Sequence, residues 1–154
     1  MAKLCVLACI LFALVVGCGK SGTISRSPAQ FQSDNNLRAI SKLVLEYRRK
    51  HNGASPERLS DIVSDEQLGF LEMFYLTGEG RPALRPEFLT DRGLLDEHAS
   101  YALPVKTDSK VLACERPGLW PDGTAAVCFE DSTITRMDAS DYKATVGDVP
   151  PVSR

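Results

Sequence analysis

Histidine is scarce in this chain, with two in 154 residues, and its 18 basic and 20 acidic side chains form no block of one sign. Nucleic-acid phosphates demand a basic stripe, so the even charge distribution excludes nucleic acid as a partner. The two histidines also carry little chemistry. His51 closes a basic run at the end of a predicted helix, and His98 stands in Asp96-Glu97-His98, which reads as a solvated loop before a strand. Neither has metal-ligand spacing. No H-E-x-x-H, G-x-S-x-G or glycine-rich phosphate cradle occurs. A catalytic nucleophile needs a base oriented by a third group, and no such constellation is legible. The sequence therefore leads to the expectation of no catalytic residues, no metal and no cofactor. Internal repeats are also lacking, and no apolar run reaches the roughly 20 residues that span a bilayer.

What is present begins with the apolar run Leu4 to Gly17 behind Lys3, whose length suits the h-region of a signal peptide rather than a permanent helix. Its last residues, Val15-Val16-Gly17-Cys18, resemble the lipobox of bacterial lipoproteins. That resemblance implies cleavage before Cys18, acylation of its sulfur and a membrane partner held through lipid. The rival is cleavage at the same bond by an ordinary signal peptidase, with Cys18 left free. Gly19 rather than Asp follows Cys18, which favours the outer membrane of the cell envelope by the sorting rule of well-studied lipoproteins. Losing residues 1–17 of the 154 leaves 137, enough for one domain with a genuine core. Of the 18 basic residues only Lys3 goes, so 17 face 20 acidic ones, a formal charge of about −3.

Cys5 and Cys9 leave with the signal peptide and Cys18 is consumed by lipid, so Cys114 and Cys128 remain. Two cysteines in an exported domain suit a single disulfide, the alternative being two buried thiols. A hairpin register setting residue 114 opposite 128 would place both on one face.

Residues 18–32 are polar, rich in Ser and Gly and without periodicity, and read as a tether. A helix is predicted from Ser33 or Asp34 as N-cap, with Leu37, Ile40, Leu43, Val44 and Tyr47 on one face, Glu46 and Lys50 paired, and Asn52-Gly53 as its end. The cluster Arg48-Arg49-Lys50-His51 suits the negative end of the helix dipole. Ser55-Pro56 opens a short helix with Leu59, Ile62 and Val63 inward, and Ser64 with Gln67 forms a second capping box. Leu68 to Leu76 is apolar, with a period that chooses neither helix nor strand. Gly78-Glu79-Gly80-Arg81-Pro82 breaks it, and Pro82 to Thr90 reads as irregular. Short strands are predicted at 100–103, 110–114, 124–129 and 133–135. Trp120, in the loop Arg116 to Gly123, is either an exposed anchor for a protein partner or folded back onto the sheet. Residues 139–154 read as a polar, frayed tail.

One amphipathic helix before a small antiparallel sheet of three to four strands defines an α+β domain over residues 33–138. Asn36-Leu37-Arg38, Tyr47-Arg48-Arg49-Lys50-His51-Asn52-Gly53 and Pro56-Glu57-Arg58-Leu59-Ser60-Asp61-Ile62 resemble the headpiece of type II secretion pseudopilins and related pilin-like proteins. Val111-Leu112-Ala113-Cys114-Glu115-Arg116-Pro117 and Ala126-Val127-Cys128-Phe129-Glu130-Asp131-Ser132-Thr133-Ile134 are similar to the closing hairpin of those proteins. The resemblance implies a headpiece fold, a non-enzymatic structural or assembly-accessory role, and a protein partner in the envelope. A lipobox and tether replace the prepilin motif and apolar stalk, so filament assembly is not implied. The calcium loop of major pseudopilins is not recognisable either. An envelope module that binds a ligand or protein is the alternative function.

Overall fold

The computed structural model describes residues 26–76, 84–106 and 110–152. Helix α1 (Pro28–Lys50) opens on Ser27, whose hydroxyl accepts from Gln30 N while the Gln30 side chain accepts from Ser27 N, with Pro28 at the first helical position. The expected tether is thus corrected at its end: its last five residues are helix, initiated by a Ser-x-x-Gln box. Ser33 and Asp34, expected as caps, are instead buried on the inner face. The helix ends as expected. Asn52 takes a left-handed φ of 54°, and Gly53 N donates to Arg48 O at 2.7 Å, closing a Schellman-type turn. Glu46 and Lys50 pair at 2.8 Å.

Leu37, Ile40 and Val44 are fully buried, and Leu43 and Tyr47 pack at the margin of the same core. A 3-10 turn at Leu59–Ile62 seats Leu59 and Ile62, with Val63 buried behind it. The undecided apolar stretch is a 3-10 helix over Asp65–Phe74, opened by the Ser64–Gln67 capping box. It buries Leu71 and Phe74 and leaves Phe70 outside. The expected break at 78–82 lies outside the described residues. Pro86–Leu89 and Arg92–Leu94 are further 3-10 turns, and Leu95–His98 is a single α-turn, α2.

The sheet is an antiparallel meander in the order β1 (Tyr101–Ala102), β2 (Val111–Glu115), β3 (Ala125–Phe129), β4 (Ile134–Met137). The α+β architecture with a four-stranded antiparallel sheet follows directly. One sheet face carries α1 and the main core, including Leu112, Ala113, Ala126 and Cys128. The other face carries a second cluster of Ala102, Val111, Cys114, Ala125 and Val127 under α3 (Ala139–Val146).

That helix corrects the expectation of a frayed tail from residue 139. Asp138 caps it, accepting from Ser140 N and Asp141 N, and Tyr142, Val146 and Val149 are buried. Three apolar residues among polar ones cover a small, flat sheet face well enough to fix the segment.

Candidate functional site

Strand β2 is buried along its whole length, yet it ends in a carboxylate where an apolar residue would be expected. Glu115 is fully buried. Its Oε2 accepts from Trp120 Nε1 at 2.7 Å, Ala126 N at 2.7 Å and Arg136 Nη1 at 3.0 Å. Its Oε1 accepts from the Ser33 hydroxyl and, at 3.4 Å, from Arg136 Nη2. Ser33 Oγ lies 3.1 Å from the Tyr101 hydroxyl. Arg136 also lies 3.6 Å from the buried Asp34, which pairs with Arg26 at 2.5 Å, and its guanidinium stands 5.0 Å from the Trp120 ring centroid. The network ties the start of α1, all four strands and the Trp loop into one polar centre. Both lone-pair sets of the Glu115 carboxylate are occupied, so the group has no free face for proton transfer to a substrate.

Trp120 is accordingly not an exposed anchor. It is 7% exposed, inside the main core, and held by its indole N–H. The proline-rich loop folds back because Glu115, five residues earlier, offers a buried acceptor.

The disulfide expectation is also corrected. Cys114 and Cys128 are free thiols. An irregularity between Val111 and Ala113 shifts the register, so Cys128 pairs with Ala113 and Cys114 with Val127. The shift turns Cys114 toward the α3 side while Cys128 stays on the α1 side. Burial pushes the Cys114 thiol up to about 12 from an ordinary 9.0, against a smaller opposing effect of its hydrogen bond with Tyr142. Burial also raises Cys128 and Tyr142. A thiol whose folded pKa is raised supports the fold fully below its unfolded pKa. That support is lost as pH climbs from about 9 toward 12, because the unfolded chain releases the proton first. Native protein is expected to resist thiol reagents at neutral pH and to show two reactive thiols, Cys114 and Cys128, when denatured without reductant. Its urea midpoint should fall between pH about 9 and about 11. A disulfide-linked species would contradict the first statement, and an unchanged midpoint the second.

His98 does not lie in a solvated loop. It ends α2, half-buried, stacked 4.9 Å from Phe88, which itself stacks 5.2 Å from Tyr75. His51 stacks 4.0 Å from Tyr47 at the end of α1. Both rings serve packing, and the structure does not bring them together. Among the described residues no group of three His, Cys, Asp or Glu side chains converges as a cation site.

A cleft of about 440 Å³ opens beside Arg116, Asp96, Glu57 and Pro150. Arg116 is buried, and burial holds its guanidinium below its ordinary value. It donates to the carbonyls of Tyr101 and Asp96 and, at 3.5 Å, of Pro150, which makes it a staple between β1, α2 and the C-terminal segment. The residues that sequence reasoning missed are Ser33, Asp34, Glu115, Arg116 and Arg136. The available signal was Glu115-Arg116, two charges directly continuing an apolar strand. Cys18 lies outside the described residues.

Comparison with known proteins finds no family model that matches the chain, and no curated protein or solved structure that matches it.

Proposed function

We propose that the chain is a lipid-anchored envelope protein whose folded body is a pseudopilin-like headpiece, with a non-enzymatic structural or assembly-accessory role. The observation that carries this reading is the order of elements. A single long helix precedes an antiparallel meander and packs on it. Of the motifs quoted for the resemblance, Tyr47–Gly53 closes α1 and the hairpin stretches fall on β2 and β3, while Asn36-Leu37-Arg38 lies inside α1 and Pro56–Ile62 runs into the 3-10 turn after it. Glu115, within the V-L-A-C-E-R-P stretch, organises the fold rather than a reaction, and this agrees with a structural role. With Trp120 in the core, the protein partner is assigned to another part of the surface.

The anchor is the part most open to test. At about 0.8 kcal/mol per buried methylene, two or three acyl chains hold a protein far more firmly than one. Wild-type protein should partition into detergent with an intact mass that includes acyl chains at Cys18, and Cys18→Ala should lose both properties. An unacylated wild type in the soluble fraction would end the lipoprotein reading.

A further inference from the structure

The outward face of α1 is not uniformly polar. Phe31 is 61% exposed and Leu45 41% exposed. At 3.6 residues per turn they fall within about 60° of the helix circumference together with Arg38, Lys42 and Arg49. These three cations are exposed, and among the described residues none of them is in an ion pair. Glu46, the nearby acid of the helix, is held by Lys50. Beside Lys42 an apolar groove of about 250 Å³ runs to Leu43, Met73 and Phe70, the last 64% exposed. Of the four exposed large apolar side chains among the described residues, Phe31 and Leu45 thus stand on this stripe, Phe70 rims the groove beside Lys42, and the fourth, Val105, stands by the C-terminal end of α3.

From this juxtaposition we infer that the outer stripe of α1, with Phe70, is a docking surface for an anionic lipid leaflet. Aromatic and aliphatic side chains interleaved with Lys and Arg along one helix face are the chemistry of an interfacial helix, which lies in the membrane plane. Each basic side chain near an anionic leaflet strengthens binding by about fivefold. A protein groove would instead reward acids opposite these cations. The inference rests on the lipid-anchored reading for its orientation. From Cys18 to Pro28 the chain can extend at most about 35 Å, which keeps α1 within reach of the leaflet carrying the anchor.

The test uses the mature full-length chain in vesicles of phosphatidylglycerol with brominated acyl chains, with tryptophan placed by Phe31→Trp, Phe70→Trp or Val105→Trp. Trp120 is buried and gives a constant background. Quenching is expected for Phe31→Trp and Phe70→Trp and not for Val105→Trp. It should be lost in Arg38→Glu/Lys42→Glu/Arg49→Glu protein that melts like wild type, and it should weaken in phosphatidylcholine. Equal quenching at all three positions, or none at 31 and 70, overturns the inference, and the latter is the result expected if a protein covers the stripe instead. Intact mass at Cys18 is read in parallel. An acylated chain unquenched at 31 and 70 defeats the docking surface alone, whereas an unacylated chain quenched in anionic vesicles defeats the anchor alone.

Discussion

Glu115→Ala is expected to destabilise the protein by about 3–5 kcal/mol and to lower its Tm by on the order of 10 °C. The carboxylate is fully buried and accepts from Trp120, Ala126, Ser33 and Arg136 at once. Removing it takes from the Ala126 N–H and the indole N–H the acceptor they share, and leaves Arg136, whose side chain is 19% exposed, with the more distant Asp34 as its ion-pair partner among the described residues. Glu115→Gln with Arg136→Met should recover much of the loss, because a buried ion pair is replaced by neutral groups of similar volume. The check is a double-mutant cycle by urea melts. Additivity of the two single variants would mean that Glu115 and Arg136 are not coupled, and that the network is a set of independent contacts.

How far the sequence foretold this centre differs between its parts. The elements were legible because their signals are local. Period 3.6 marked α1, Asn-Gly marked its end, and turn residues separated four short apolar runs. What failed was non-local. Glu115 and Arg136 are 21 residues apart in sequence, and neither has a local pattern that says it will be buried. The register of β2 against β3 turns on a single extra residue near Val111, which no hydrophobic period reports, and the fate of two cysteines followed from it. Two local signals were also legible. Ser27-Pro28-Ala29-Gln30 carries a capping box inside a polar stretch, and Tyr142 and Val146, four residues apart, bury one face of α3. Cys18 and the lipobox-like stretch before it lie outside the described residues.

Trp120→Ala should likewise lose about 3–5 kcal/mol, the range for truncating a large buried aromatic side chain. The argument has two parts. Its ring is 7% exposed in the main core and lies under the Arg136 guanidinium, so truncation opens a cavity and removes a cation–π contact. Its N–H is also one of the donors that neutralise Glu115. Trp120→Phe separates them. It keeps most of the ring, and Glu115 Oε2 still accepts from Ala126 N and Arg136, so the cost should be only about 1 kcal/mol. Because Trp120 is the only tryptophan, its emission reports the site directly. Native protein should resist iodide quenching and become accessible only on unfolding. An envelope partner that copurifies with wild type should copurify equally with folded Trp120→Phe. Loss of that partner from Trp120→Phe protein of near-native stability, or a native emission open to iodide, would return Trp120 to the surface as an anchor and displace it from the Glu115 network.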